Sequence, residues 1–207
     1  MNCPAVSQCK LKQSGKRCPD DDSEKLRQLI GSDGQFSPNN YVFREHRNGV
    51  IFPAIEKLAE KHLERGKVNY PPVPIELISS ADEDSSVEVR AVHLKACHAG
   101  IWRLKEAWVI QLADNCTSAR NRFTLFHEAF HIIAHCRSKT PPVFMKRGAK
   151  QGFFNELLAD YFAMCTLMPK EWVIGKWGEV KDLDRMAEIF DVPKSTMWLR
   201  LRELGLM

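Results

Sequence analysis

The sequence lacks any apolar run that approaches the roughly 20 residues needed to span a bilayer. Its first twenty residues are polar, basic and Cys-containing, unlike a secretory signal. It also lacks a large charge excess, because 30 basic and 26 acidic residues leave a formal net charge of +4. These absences argue against a membrane protein, a secreted protein and a protein that binds nucleic acid through a strongly basic surface. We therefore expect a cytoplasmic protein without a membrane partner.

The seven cysteines lack the pattern of a disulfide framework or of a zinc knuckle. Their odd number fits a reducing compartment, in which they remain thiols. Cys3, Cys9 and Cys18 do not have the C-x-x-C spacing of a zinc knuckle, and a fourth ligand is missing. We expect residues 1–40 to form a flexible basic arm, and we assign no role to its cysteines.

The most informative pattern present is His127-Glu128-Ala129-Phe130-His131, an HExxH motif inside a predicted helix at residues 122–136. Histidines four residues apart lie on one face of a helix about one turn apart, so both can reach one metal ion. Glu128 is too close in sequence to ligate beside them, but its carboxylate can take a proton from an attacking water molecule. Apolar residues on most faces of this helix predict burial, where polar side chains need partners. The pattern therefore predicts a metal site with a general base.

The third protein ligand of a catalytic zinc ion has two candidates in the sequence. His135 is the nearer one, eight residues after His127 and about 80 degrees around the helix from it. In the metzincin pattern a glycine breaks the helix before the third histidine, and here position 134 is alanine. We therefore favour a packing or supporting role for His135.

Glu156 is the candidate that we favour. It lies at the start of a second predicted helix, which begins at Asn155 and ends before Pro169, because proline cannot continue a helix. Asp160 lies one turn after Glu156 on the same face, where it can orient a ligand imidazole. The expected ligands are His127, His131 and Glu156.

The fold class follows from the order of the predicted elements. A helix at residues 53–65 precedes strands at 87–92, 100–104 and 108–112, and Ser118 is the expected N-cap of the HExxH helix. We predict an α+β fold in which a small antiparallel sheet packs on the HExxH helix and on the second ligand-bearing helix. The edge of that sheet is suited to hold a substrate backbone as an added strand.

The last segment, residues 181–207, has the outline of a helix-turn-helix. Its first helix ends at Val192-Pro193, and Ser195 is the expected cap of the second helix. Five basic and five acidic residues leave this segment without net charge, whereas duplex binding needs a positive surface. We expect packing or partner recognition rather than direct contact with nucleic acid. The predicted organisation is an arm at 1–40, a metal-binding domain at 41–180 and a C-terminal helical extension at 181–207.

Three ordered motifs carry a resemblance to a known family. They are RFTLFHEAFH at 122–131, ADYFA at 159–163 followed by LMP at 167–169, and LRLRELGL at 199–206. Together they resemble the ImmA/IrrE family of zinc metallopeptidases, whose usual patterns are RFTLAHELGH and EANRFAAELLMP. The chain departs from these patterns at several positions. They include Phe126, Ala129, Phe130, Leu158 and Asp160.

Two of these departures bear on the site. Phe130 replaces the family's glycine before the second histidine and adds bulk, which we expect to narrow the site. Leu158 replaces a glutamate that often stands before the Ala-Asn pair, so Glu156 is left as the carboxylate that can serve as ligand. Asp160 in place of asparagine resembles the corresponding helix of thermolysin-like gluzincins.

The resemblance implies a zinc-dependent metalloendopeptidase with Glu128 as the general base. It further implies that the protein substrate is a transcriptional repressor of the XRE helix-turn-helix type, cleaved in a stress response or in mobile-element control. From the residues themselves, Tyr161 and His98 are both candidates for the group that stabilises the oxyanion. The alternative function is a zinc-stabilised regulatory module that binds a repressor without cutting it.

Overall fold

The computed structural model describes residues 51–94, 99–137 and 149–207, and within them all side chains except those of 135–137 and 149–154. The elements are helix α1 (Ile51–Arg65), a 3₁₀ helix (Ile75–Ala81), strands β1 (Ser86–Val92), β2 (Ala99–Arg103) and β3 (Ala107–Ala113), and helices α2 (Ser118–Arg137), α3 (Ala149–Leu167), α4 (Lys170–Val180), α5 (Leu183–Phe190) and α6 (Lys194–Glu203). The predicted α+β class is confirmed. The predicted N-terminal arm, with Cys3, Cys9 and Cys18, lies outside the described residues.

The sheet is mixed, with β3 in the centre and the order β1-β3-β2. Strands β2 and β3 form the predicted antiparallel hairpin, in which Leu104 N–H donates to the carbonyl of Ala107 at 2.8 Å. Strand β1, however, runs parallel to β3, with Val89 opposite Ile110. The prediction of an antiparallel sheet is therefore wrong for this pair. Strand β2 reverses direction relative to β1 without pairing with it, and β3 reverses again and inserts between them.

Helix α2 is buried on most of its faces, as its apolar pattern predicts. It packs against β3, the 3₁₀ helix and α3, and Phe126, Ala129 and Ile132 are fully buried. Its N-cap is Thr117 rather than the predicted Ser118, since Thr117 Oγ1 accepts a hydrogen bond from the Arg120 N–H at 3.3 Å. Either hydroxyl side chain can cap a helix. Because Ser118 is already the first helical residue, the cap is the residue before it.

Helix α3 lies between α1 and α2 and packs against both. Ala159 and Ala163 are completely buried, and their small side chains allow the close approach of neighbouring helices. The helix ends at Leu167, before Pro169, as predicted, but it begins at Ala149, six residues before the predicted start at position 155. Its length gives α2 and α3 a long common interface.

The C-terminal helices share the core of the other elements. Met186, Phe190, Met197 and Leu201 are buried in the same hydrophobic cluster as the apolar residues of α1, α2 and α3. Helix α6 follows Pro193, with no side-chain cap, so the predicted cap at Ser195 is wrong because the helix has already begun there. Within the described ranges, no helix is long and apolar enough to cross a membrane.

Candidate metal centre

The crossing of α2 and α3 brings two histidines and a glutamate together. His127 Nε2 lies 3.1 Å from Glu156 Oε2 and 3.3 Å from His131 Nε2. His131 Nε2 lies 3.6 Å from Glu156 Oε1. One ligand atom from each residue falls within 4.8 Å of the others. The three side chains that the spacing selects thus converge on one point.

The spacing of these atoms fits the donor set of a tetrahedral metal ion. Ligands at 2.0 to 2.1 Å from a tetrahedral zinc ion lie about 3.3 Å from one another, close to the three separations above. Two imidazole nitrogens and one carboxylate oxygen are also a typical set for catalytic zinc, which leaves one position open. His127, His131 and Glu156 therefore fit a zinc ion.

Asp160 supports His127 from behind the cluster. Its Oδ1 lies 2.7 Å from Nδ1 of His127, one helical turn beyond Glu156. A carboxylate on Nδ1 holds the proton there, so that the lone pair of Nε2 faces the metal position. The structure thus places Asp160 where the sequence predicts it.

The electrostatics of the cluster favour positive charge between the imidazoles. Burial disfavours a charged His127, but Asp160 and Glu156 outweigh burial and raise the pKa of this imidazole to about 10. Burial also opposes ionisation of Glu156, yet His131 and His127 lower the pKa of its carboxyl to about 2. Burial is the main cause of the lowered pKa of His131. The carboxylates are therefore arranged to stabilise a cation at the Nε2 atoms.

Glu128 is a buried carboxylate next to these ligands. It is only 3% exposed, and its charge acts on His131. Among the residues that the structure describes, no lysine or arginine forms an ion pair with it. This carboxylate therefore lies beside the ligands and is not held by a basic side chain in the described part of the chain.

Tyr161 does not face the cluster. Its hydroxyl donates to Glu203 Oε1 at 3.2 Å, and its ring contacts Phe52 edge-on at 4.7 Å between centroids. One residue beyond Asp160 corresponds to about 100 degrees around the helix, which turns the phenol to another side of α3. The other oxyanion candidate, His98, lies outside the described residues, as does the side chain of His135.

Phe130 lies in the hydrophobic core. It is 6% exposed, and its ring centroid lies 5.7 Å from that of Phe162 and 6.0 Å from that of His131. This side chain is therefore part of the hydrophobic core next to His131, and the expected narrowing of the site stays a prediction.

Sequence reasoning missed the buried charge of Arg200. This side chain is completely buried and contacts Glu203, Glu56 and the carbonyl of Met168. The sequence gives one indication of this burial: Arg200 is flanked by the apolar residues Leu199 and Leu201 in the third motif.

Comparison with known proteins agrees with this architecture. The family described as the IrrE N-terminal-like domain, peptidase M78, matches residues 82–202. A solved structure described as a Mycobacterium tuberculosis transcriptional regulator has a TM-score of 0.55 and 15% identity, covering 77% of this chain and 49% of that chain. The present chain thus spans about half the length of that regulator. No curated protein matches the chain.

The family match covers more than half of the sequence and includes the whole candidate metal centre. It begins after the 3₁₀ helix and extends into α6, so it joins the metal-binding helices to the C-terminal helices. The chain belongs to the IrrE N-terminal-like domain family of M78 metallopeptidases.

Proposed function

We propose that the protein is a zinc-dependent endopeptidase. The observation that carries this proposal is the convergence of His127, His131 and Glu156 at zinc-ligand spacing, directly beside the buried Glu128. A site that only stabilised the fold would have four protein ligands and no need of a base. Three ligands and an adjacent carboxylate favour hydrolysis.

Each residue has a defined task in this reaction. A zinc ion held by the three ligands would acidify water and polarise a peptide carbonyl. Glu128 takes the proton from the attacking water and returns it to the leaving amine nitrogen. Asp160 keeps His127 in the tautomer and orientation that a ligand needs.

The substrate backbone would pair with the outer edge of β2. Of the two edge strands, β2 packs against α2, which carries the motif, whereas β1 packs against the 3₁₀ helix. An extended peptide added at β2 would be held by main-chain hydrogen bonds, which select an extended conformation more than a particular side chain.

We further propose that the protein substrate is a transcriptional repressor of the XRE helix-turn-helix type. Support comes from the three motifs that resemble the ImmA/IrrE family. The description of the solved structure as a transcriptional regulator is consistent with such a role. The balanced charge of residues 181–207 favours contact with protein over contact with DNA.

The test compares the wild type with Glu128→Gln and Glu156→Ala. Wild-type protein should contain about one zinc per chain by elemental mass spectrometry and should cleave a candidate repressor into fragments detected by intact mass. Glu128→Gln should retain zinc but lose about 10²- to 10⁴-fold in cleavage rate. Glu156→Ala should lose zinc and cleavage together.

The control is Glu179→Gln on the exposed surface of α4, which should change neither zinc content nor rate. Wild-type protein that binds no zinc when zinc is supplied would refute the proposal. Equal inactivation of the repressor by wild type and Glu128→Gln, without fragments, would instead support the non-proteolytic binding module.

A further inference from the structure

Arg200 of α6 is a buried cation that contacts its own helix and two other parts of the fold. Its Nε donates to the carbonyl of Met168, the residue after α3, at 3.0 Å. Its guanidinium also contacts Glu203 on the same helix, and Glu56 of α1 at 3.4 Å. Burying a charge away from water is unfavourable unless the charge is paired, so the contacts of this arginine must compensate for its burial.

Arg200 and Glu203 together contact α3 and the residue that follows it at two points. One is the carbonyl of Met168, and the other is the hydroxyl of Tyr161, which donates to Glu203 at 3.2 Å. Seven residues separate Tyr161 from Met168, so the two points lie two turns apart on nearly the same side of the helix. Two such anchors restrict both rotation of α3 about its axis and movement along it.

Another side of α3, about 100 to 140 degrees around the axis from Tyr161, carries Glu156 and Asp160, which contact His127. A carboxylate about 6 Å from a helix axis moves by about 1 Å when the helix rotates by about 10 degrees. Metal–ligand distances tolerate deviations of only about 0.2 Å. Small rotations of α3 would therefore be felt at the metal centre.

We propose that Arg200 is a positioning residue for the metal centre. Together with Glu203 it sets the rotation and axial position of α3, and through α3 the positions of Glu156 and Asp160 relative to α2. Through these contacts, helix α6 helps to position the proposed metal ligands. This inference rests on the proposed zinc site.

The experiment measures zinc affinity by chelator competition and records the visible spectrum of the Co²⁺-substituted protein. Arg200→Met keeps an unbranched apolar stem and removes the guanidinium, and Arg200→Lys restores one cation. Tyr161→Phe removes only a hydroxyl and keeps the ring against Phe52. The matched control is Arg185→Met, because Arg185 forms an exposed ion pair with Glu188 on α5. All measurements are made well below the melting temperature, on protein shown to be folded by circular dichroism.

We expect Arg200→Met to weaken zinc affinity about 10- to 100-fold, the range typical of lost support for metal ligands, and to shift the Co²⁺ spectrum. Arg200→Lys should recover part of the affinity, and Arg185→Met should match the wild type. Folded Arg200→Met with wild-type affinity and spectrum would overturn the inference, even if its melting temperature falls.

If Arg200→Met does not fold, Tyr161→Phe decides the matter. A loss of affinity of several-fold with a shifted Co²⁺ spectrum supports positioning, and wild-type values overturn it. If the wild type binds zinc and these variants bind it with the same affinity, only this inference is refuted. Wild-type protein that binds no zinc refutes the proposed function itself.

Discussion

Glu128 and Glu156 show how the same side chain acquires different roles from its position. Both are buried, but Glu156 lies between two imidazoles whereas Glu128 lies beside them on α2. In the proposed reaction the first binds the metal ion and the second accepts a proton. The distinction depends on which helix supplies each carboxylate, not on the intrinsic chemistry of glutamate.

Asp160 should contribute to metal affinity without touching the metal. Asp160→Ala removes the acceptor 2.7 Å from His127 Nδ1, and we expect about 10- to 100-fold weaker zinc binding. Asp160→Asn should lose less, because its amide oxygen can still accept from Nδ1–H. Isothermal titration against a competing chelator measures both changes. Asp184→Ala, at an exposed position on α5, is the control, and wild-type affinity in Asp160→Ala would contradict the prediction.

The raised pKa of His127 predicts a pH dependence of stability in chelator-treated protein. A pKa raised from 6.5 to about 10 stabilises the folded state fully below pH 6.5, and the effect disappears as pH rises through 10. Unfolding in urea with EDTA present should therefore show a free energy of unfolding that falls between pH 6.5 and 9.5.

The Asp160→Ala variant is the control for this pH effect, since it removes the carboxylate that contributes most to raising the pKa of His127. Other groups also contribute to the pH dependence. Burial raises the pKa of the Cys165 thiol to about 12 in the folded protein, so this thiol loses its proton at lower pH in the unfolded chain. The difference between wild type and Asp160→Ala isolates His127. Identical pH profiles for the two proteins would show that the imidazole does not contribute.

At the scale of elements, the contact between α2 and α3 makes the site. Ala163 lies two turns after Glu156 on the same side of α3 and is completely buried. Ala163→Leu should push the helices apart, lower the free energy of unfolding by about 1 to 3 kcal/mol, and weaken zinc binding. Urea unfolding and zinc titration measure the two effects. Ala54→Leu, on an exposed face of α1, should show neither, and unchanged zinc affinity in Ala163→Leu would argue against close packing there.

Helix α4 could not be predicted from local pattern because Gly175 and Gly178 lower its helix propensity. Val173 and Trp177 are buried, so tertiary packing stabilises the helix. A Cβ atom at Gly175 would meet nothing within 4 Å. We therefore expect Gly175→Ala to raise the free energy of unfolding by about 0.5 to 1 kcal/mol, measured by urea unfolding. A destabilised variant would indicate that this segment is not helical.

At the scale of the whole molecule, the C-terminal helices are joined to the metal-binding helices by charge as well as by the core. Arg122 at the start of α2 pairs with Asp191 in the turn after α5 at 2.7 Å. Arg200 joins α6 to α1 and to the end of α3. The C-terminal helices therefore contribute to the stability of the fold through these ion pairs and hydrogen bonds.

The sequence by itself determined which side chains share a helical face in the candidate site, and most of the elements. HExxH spacing places His127 and His131 on one helical face, Asp160 follows Glu156 by one turn, and short apolar segments mark the strands. All of these are local features of the chain. These regularities need no knowledge of distant contacts. They account for the correct prediction of the α+β class and of the helical faces that carry the candidate ligands, whereas the convergence of these faces on one point comes from the contact between α2 and α3.

Only the tertiary structure decided the features that depend on residues far apart in the chain. The parallel pairing of β1 with β3, the burial of Phe130 against Phe162, and the turn of Tyr161 towards Glu203 each follow from how elements pack. Arg200 is the clearest case, because its charge suggests exposure while its contacts with α1 and α3 require burial. Local spacing selects which side chains share a face, and packing decides what that face meets.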